Sequence, residues 1–482
     1  MLLKKLLKEI NISSKVKNHL VSKICKDERI VEKNSIFVAI KGTRFDGHDF
    51  INNAISKGAK TIFHEKDLSL KKPGINYIKV DNTKKILALL LKKFYGDFND
   101  KLWLIGVTGT NGKSSTVEIV KDYLLYLKRK VLVIGTSGIF VNNELIEKTD
   151  NTTPDITKIY DYLLLAIKKN IRFVIMEVSS IGIAELRVKY IDFNVILLTN
   201  ISSDHLDYHQ TLSDYFYTKL TFLMKQKEDD DHYLILNKDD ENYDKIVEKL
   251  DQNFYTYGIR KAADYKITNV IESDHLSQSF LIDNKYLIKT NLIGYFNMYN
   301  ILAAYSILKK SNIGLRKFPE YLLSKNDISG RMEKIYHKDK IIIIDYAHTA
   351  TALKNVVLEL KQYNKSFVVV FGCGGNRDKT KRKIMANYAC THADYAIFTT
   401  DNPRNEDPME IINDMTKNLI HENYEVILDR ATAIEKAMSL NYDIIAIIGK
   451  GNESKMIIGN DEIPFNDHET VLKIINEEAM HA

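Results

Sequence analysis

Cysteine is scarce in this chain of 482 residues: Cys25, Cys373 and Cys390 stand far apart. With no pair at metal-ligand spacing and no dense even set, neither a zinc module nor a disulfide framework is available, and the thiols fit a reducing compartment. Proline is scarce as well, at six residues, and no long Pro/Gly linker interrupts the chain. Long apolar runs are missing: ILALLL and IIII fall far short of the roughly 20 residues that span a bilayer. The N-terminal MLLKKLLKEINISS carries lysines but no apolar stretch long enough for a secretion signal. Nor is there a block of charge of one sign, since 69 Lys and Arg against 63 Asp and Glu leave +6 spread along the chain. Nucleic-acid-binding domains concentrate their positive charge, so no nucleic-acid partner is expected. Together these absences predict a soluble cytoplasmic protein without a membrane partner.

What is present is alternation. The composition, 45% hydrophobic and 27% charged, is that of an average soluble protein, and the length exceeds what one core serves. Three zones are predicted, 1–98, 99–327 and 328–482. The first alternates SIFVAI, TIFHE and YIKV with the helical patterns FINNAISKGA and KKILALLLKKFYGDF. The second carries WLIGV, VLVIG, FVIMEV, NVILLTN and HYLILN; the third carries IIIIDYA, FVVVFG, YAIFTTD and IIAIIG. Short apolar β-rich runs separated by helix-length segments predict an α/β fold with parallel sheets covered by helices on both faces. In such folds chemistry gathers in the loops that follow the strands.

WLIGVTGTNGKSSTVEIVKDYLLYL reads as strand, glycine loop and helix. Gly109 and Gly112 let the backbone curl so that N–H groups face an anion, Lys113 reaches outer phosphates, and Ser114 can ligate Mg²⁺. The helix N-terminus aims its positive end at the same place. The loop departs from strict GxxxxGK[ST], because Val107 stands five before Gly112. A plain strand-to-helix turn would also use these glycines, but not the GKS that follows. Glu177 ends FVIMEV and could share the metal with Ser114, or merely cap a turn. The loop NISSDHLDYH gathers Asn200, Asp204, His205 and Asp207, and Lys219 follows fourteen residues after His205 in a predicted helix. The loop TTDNPRNEDP is different in kind: Asp, Asn and Pro set turn dihedrals, but a turn has no need of Arg404.

The runs GTNGKSS, MEVSS, TNISSDHLDYH with a later TKL, GYFNMYNILAA, SGRME, DYAHT, FGCGGNRDK, DNPRNEDP and IGKGNE follow one another along the chain. In this order they resemble the Mur ligases, over essentially the whole length. The resemblance implies a central P-loop domain with a parallel sheet and a Rossmann-like C-terminal domain. It implies an ATP-dependent, ADP-forming amide ligase of peptidoglycan precursor synthesis that works through an acyl phosphate. Gly109, Thr110, Asn111, Gly112, Lys113, Ser114 and Ser115 would bind ATP, closed over by Asn297, Asn300, Arg331 and Asp345. Ser114, Glu177, His205 and a carbamylated Lys219 would serve Mg²⁺, since a carbamate replaces a repelling cation with an anion. Glu28, Thr152, Thr153, Ser179 and Arg187 would meet the UDP-N-acetylmuramoyl-L-alanyl-D-glutamate substrate. Asp401, Asn402, Pro403 and Arg404, with Arg377, Gly449 and Glu453, would select the incoming amino acid. A DNPR run resembles the type that takes meso-diaminopimelate or an analogue such as lanthionine, because a guanidinium fork pairs with a second carboxylate. A monomer is expected.

The chain departs from the family's pattern at several positions. Glu28 replaces a serine, Ile181 a histidine, Glu185 a glutamine, Ala350 and Thr351 a Pro-Asp pair, Asn376 an aspartate and Asn452 a histidine. None removes a phosphate or metal group; they cluster at substrate walls. Three alternatives stand beside this reading: a lysine-adding ligase, a folylpolyglutamate synthetase, and a nucleotide switch that hydrolyses ATP without forming a bond.

Overall fold

The computed structural model describes residues 1–42, 45–69, 71–149, 151–225 and 230–481. Thr43 and Arg44 of the KGTRFDGHDF run, and Asp150 of DNTTPD, lie outside the described residues. Two compact units form: residues 1–106 and 130–194 make most of one, and residues 107–129, 195–224 and 233 onward make most of the other.

In the first unit, strands Ile24–Cys25, Ile36–Val38, Thr61–His64 and Asn76–Lys79 lie side by side in chain order, all parallel. Their apolar runs bury Phe37, Ala39 and Ile62 against Ile51 and Ala54. The helix Thr83–Tyr95 starts where the Asn82 side chain accepts from Lys85 N–H and ends at Gly96. Its leucines at 87, 90 and 91 face inward, the spacing of three and four that buries one face of a helix. The same unit holds Phe173–Val178 parallel to Val131–Gly135, which turns into the antiparallel strands Gly138–Val141 and Glu144–Glu147.

Besides the antiparallel pair Lys455–Ile458 and Asp461–Pro464, the second unit contains two large sheets. One runs Val195–Leu198, Tyr233–Asn237 and Tyr255–Gly258 in parallel, then continues with Tyr265–Ser273 and the antiparallel Gln278–Ile282 and Tyr286–Thr290. The other has six strands in the order Glu333–His337, Lys340–Asp345, Ile444–Ile448, Phe367–Phe371, Tyr395–Phe398, Tyr424–Val426; only the first is antiparallel. Successive residues of a strand point to opposite faces, and here the two faces feed two cores. Ile341, Ile343, Val369 and Ala446 pack with the helices Ala350–Gln362, Thr380–His392 and Pro408–Thr416. Ile342, Ile344, Val370 and Ile445 pack with Arg430–Ser439 and Val471. This doubly wound sheet is the Rossmann-like arrangement expected for the C-terminal part.

The β-rich apolar runs singled out in the sequence each overlap a strand, whereas ILALLL lies in the helix Thr83–Tyr95. Among the strands that periodicity did not reveal, Glu144–Glu147 is antiparallel and mostly exposed, Gln278–Ile282 is antiparallel and opens on two buried polar residues, and Ile24–Cys25, Tyr255–Gly258 and Tyr424–Val426 are short parallel strands.

One buried ion pair fastens the last helix to the sheet. Arg430 Nε and Nη2 donate to Asp467 Oδ1 and Oδ2 at 2.7 and 2.8 Å, and Nη2 also reaches Ile448 O at 3.2 Å. Both side chains are 0% exposed. Truncating one partner strands the other's charge away from water, so Arg430→Ala is expected to cost about 3–5 kcal/mol. Denaturant unfolding measures it; a loss under about 1 kcal/mol would mean that water reaches Asp467.

Candidate active site

The strand Trp103–Thr108 delivers the glycine loop to the start of the helix Lys113–Tyr126. Gly112 has φ 85°, and a Cβ there would sit 2.5 Å from Asn300 Oδ1; a left-handed backbone pressed against a neighbour leaves room only for glycine. Side chains pin the loop from outside. Asn111 N–H donates to Asn200 Oδ1, whose amide returns a bond to Asn111 O, both at 3.0 Å. Thr110 Oγ1 accepts from Ser202 N–H at 2.9 Å and meets the Tyr215 hydroxyl at 2.9 Å. Ser115 is buried beneath. Lys113 Nζ donates to the carbonyls of Gly109 and Thr110 at 2.9 Å each. The loop is a preformed cradle with a cation at its mouth, which fits a phosphate chain.

Lys219, on the helix Leu212–Leu223, is 1% exposed and also donates to Gly109 O, at 3.0 Å. Burial, then the neighbouring Lys113 cation, push its ammonium well below the ordinary lysine range, with Asp204 opposing. An amine driven toward neutrality is the form that can take up CO₂. His205 sits at φ 53°, with its N–H on Asp204 Oδ1 at 2.8 Å and its ring Nε2 3.5 Å from Asp204 Oδ2. Burial lowers its pKa and the Asp204 carboxylate works against that. Among the described residues no set of three or more His, Cys, Asp and Glu is arranged to hold a metal. A magnesium site here would therefore need the Ser114 hydroxyl and the carbamate as ligands beyond those residue types.

The closing residues gather at this loop. Asn297 and Asn300 are both buried on the helix Tyr295–Lys310, with Asn300 Nδ2 donating to Asn297 Oδ1 at 2.8 Å. Arg331 Nη2 donates to Ser114 Oγ at 3.3 Å while its guanidinium lies 4.3 Å over the Tyr346 ring. Asp345 is held by the N–H groups of Met332 and Ala347, both at 2.8 Å, and burial raises its pKa. The backbones of Gly330 and Gly451 touch: a Cβ on Gly451 would come 2.7 Å from both Gly330 O and Tyr346 Cβ. The residue beside Arg331 is thus wedged against the GKGNE loop.

That loop forms one wall of a second cluster. Asn402 Nδ2 donates to Glu453 Oε2 at 2.8 Å, and the fully buried Lys450 reaches Glu453 Oε2 at 2.9 Å, Lys455 O at 2.8 Å and Asn402 Oδ1 at 3.2 Å. The Gly449 N–H donates to Asp345 O at 2.9 Å, and Asp401 and Pro403 are buried beside it. Arg404 stands at φ 52°, fixed by its N–H to Ile457 O at 3.0 Å and its Nη1 to Gly375 O at 2.8 Å. Burial and the nearby Arg377 guanidinium depress its pKa, against Asp401 and Glu453. Arg377 itself pairs with Asp207 at 2.9 Å. Arg404 is half-buried, not a plain surface residue.

The remaining residues expected at the site lie in the first unit. Glu177 is 3% exposed and accepts from Thr136 N–H at 3.1 Å and Thr136 Oγ1 at 3.0 Å; it is no helix cap. Thr152 Oγ1 meets Thr136 Oγ1 at 3.1 Å. Thr153 Oγ1 donates to Glu177 O at 3.0 Å and accepts from Ser179 N–H at 2.9 Å, while Arg187 Nη1 donates to Thr153 O at 2.8 Å. Glu28 lies on a 3-10 turn capped by Asp27, which Arg29 grips with its guanidinium at 2.7 Å.

Comparison with known proteins places the chain in a family. Residues 24–95 match the model of the Mur ligase family catalytic domain, 107–308 the Mur ligase middle domain and 330–451 the Mur ligase glutamate ligase domain. The UDP-N-acetylmuramoyl-L-alanyl-D-glutamate–2,6-diaminopimelate ligase of Clostridium perfringens is 35% identical over 98% of this chain and 99% of its own. The ligase of that name from Oceanobacillus iheyensis is 36% identical over the same shares. The chain belongs to the Mur ligase family. It is thus a ligase that draws on ATP to form an amide bond. A solved ligase of the same name superposes with a TM-score of 0.69 at 26% identity, over 98% of this chain and 99% of that one. The MurF ligase of Thermotoga maritima in complex with ADP shares the fold, at a TM-score of 0.63 and 20% identity over 95% of this chain and 98% of that one.

The Mur ligase reading of the sequence passed over Lys450, although it stands inside the quoted GKGNE, and over Thr136 and Tyr346. Their roles come from partners distant in sequence, which no local pattern displays.

Lys219 makes a pH signature. A lysine whose folded pKa is depressed below its unfolded value near 10.5 binds fewer protons folded than unfolded, so stability rises with pH between the two values. In CO₂-free buffer the chain is expected to gain about 1.4 kcal/mol for each unit of depression as pH climbs toward 10.5. Lys219→Met should abolish that rise in pH-dependent unfolding; an unchanged slope would place the titration elsewhere.

Proposed function

We propose that the chain joins a diamino diacid to UDP-N-acetylmuramoyl-L-alanyl-D-glutamate, with 2,6-diaminopimelate the first candidate and lanthionine, of the same shape, the second. It does so in the cytoplasm as a monomer; among the described residues no helix is long and apolar enough to cross a membrane. The observation that carries the choice of amino acid is the pairing of Arg404 with Arg377. Both side chains border Gly374, where a Cβ would meet Arg404 Nη1 at 3.0 Å and Arg377 Cγ at 3.7 Å. Burial, then the Arg377 cation, lower the Arg404 pKa, and a second carboxylate on the incoming amino acid relieves that repulsion through a bidentate contact. Lysine has no carboxylate at that end. The names of the relatives above point the same way.

Carboxylates do not condense with amines in water unless activated. Here the γ-phosphoryl group passes from ATP to the D-glutamyl carboxylate, giving ADP and an acyl phosphate. The amine of the diamino diacid then attacks the acyl carbon, loses its proton, and phosphate leaves. Lys113 and the loop N–H groups take up the charge spreading over the phosphoryl oxygens. Arg331, resting on Ser114 Oγ, shields the nucleotide, while Asp401 and Glu453 receive the ammonium at the far end. Ser114, Glu177, His205 and a carbamylated Lys219 would hold Mg²⁺, which would supply Lewis-acid stabilisation of the same charge. Holding both reactants together provides proximity and keeps water from the acyl phosphate.

Competition among diaminopimelate stereoisomers, lanthionine and lysine, with the product mass measured, identifies the amino acid. Arg404→Ala is expected to raise the KM for diaminopimelate about 100-fold, the worth of a lost charge-assisted fork, and to leave the KM for ATP nearly unchanged. Phosphate release that proceeds without either co-substrate and makes no amide would overturn the ligase reading in favour of a nucleotide switch.

A further inference from the structure

Arg404 and Arg377 sit on two separate loops, Gly372–Lys379 and Thr399–Asp407, and a fork works only if both loops hold their spacing. What holds them is a residue that sequence reasoning left aside. Arg382 lies in the first turn of the helix Thr380–His392 and is 0% exposed. Its Nη1 donates to Glu406 Oε2 at 2.9 Å and its Nη2 to Glu406 Oε1 at 3.0 Å, a two-pronged pair. The same guanidinium reaches Asp414 Oδ2 at 2.8 Å and Gly374 O at 3.3 Å. Glu406 in turn accepts from the Asn376 N–H and pairs with Lys379 at 3.3 Å. Arg382 therefore touches the first loop at Gly374 and the second at Glu406, and Glu406 reaches back to the first at Asn376.

Weaker stitches run parallel to this strut. Gly375 N–H donates to Asn402 O at 2.9 Å, Asn405 N–H to Asn376 Oδ1 at 3.0 Å, and Arg404 Nη1 to Gly375 O at 2.8 Å. These involve backbone or neutral groups, whereas the strut is charged at both ends and shielded from solvent on the arginine side, where such pairs are strongest. Arg377 is one residue from Asn376, and Arg404 two from Glu406, so a shift of the strut moves both prongs. Arg404 is already held on a left-handed backbone with φ 52°, a conformation that persists only where its surroundings enforce it.

We infer that Arg382 and Glu406 are positioning residues for amino-acid selection: their ion pair fixes the distance between the two arginine-bearing loops. The inference rests on the reading of Arg404 and Arg377 given above. Neither strut residue touches the substrate. Each acts through the arginine beside it, so its loss shows in the binding of the second carboxylate and not in nucleotide handling.

Glu406→Gln tests this, because it keeps the shape and leaves Arg382 free to bond Asp414. Misplacement of a binding group by about an ångström costs on the order of 10- to 100-fold, so the KM for diaminopimelate is expected to rise at least about tenfold. The KM for ATP and the thermal midpoint of the nucleotide-bound enzyme should change little. The double variant Glu406→Gln/Arg404→Ala should raise the KM by less than the product of the two single effects, since with Arg404 gone only Arg377 is left to position. An unchanged KM in Glu406→Gln, full additivity in the double variant, or a parallel loss of ATP affinity and thermal midpoint would overturn the inference. If Arg404→Ala raises the KM and Glu406→Gln does not, the strut alone fails; if Arg404→Ala itself has no effect, the fork reading falls and the strut with it.

Discussion

Two ammonium groups share one carbonyl. Lys113 and Lys219 both donate to Gly109 O, at 2.9 and 3.0 Å, and at that separation like charges repel strongly in a poorly solvated site. The rest of the catalytic half is arranged around this excess of positive charge. The chain relieves it in two ways: burial drives Lys219 toward its neutral form, and the glycine loop presents N–H groups to an incoming polyanion. Arg331, in the turn before the strand Glu333–His337, adds a third cation through its contact with Ser114. A polyanion such as a triphosphate would balance the positive charge that remains.

The amino-acid cluster repeats the logic with guanidinium groups. Arg404 and Arg377 lie together, with Asp401 and Glu453 near Arg404 and Asp207 paired to Arg377, so the cluster offers both positive and negative poles. A molecule with a carboxylate and an ammonium on the same carbon matches both poles at once. The fully buried Lys450 donates to Asn402 Oδ1, Glu453 Oε2 and Lys455 O, which keeps Asn402 and Glu453 in place. Specificity here is a matter of fixed geometry, because flexible charges would adapt to lysine as readily as to a diacid.

Much of this was legible in the residues. The apolar runs located the strands of the parallel sheets, because a strand buried on both faces has no choice but to be apolar throughout. The P-loop was legible because glycines, Lys113 and Ser114 act through neighbours one to five residues away. The DNPR loop announced itself through Arg404, a residue that no turn requires. The antiparallel strands were hidden by their wet faces, as Glu144–Glu147 shows. Arg382, Lys450, Thr136 and Tyr346 were hidden for another reason. Each is an ordinary residue in an ordinary helix, strand end or turn until the fold brings its partner from 20 to 50 or more positions away, as with Thr136 and Glu177 or Lys450 and Asn402.

The contact between Gly330 and Gly451 has a bearing on how freely this enzyme can change. Neither position can grow a side chain without striking backbone or Tyr346, and each adjoins a working loop, one carrying Arg331 and the other Glu453. Random mutagenesis for a new amino-acid preference will find this joint intolerant. Drift in such a lineage is channelled by two missing methyl groups.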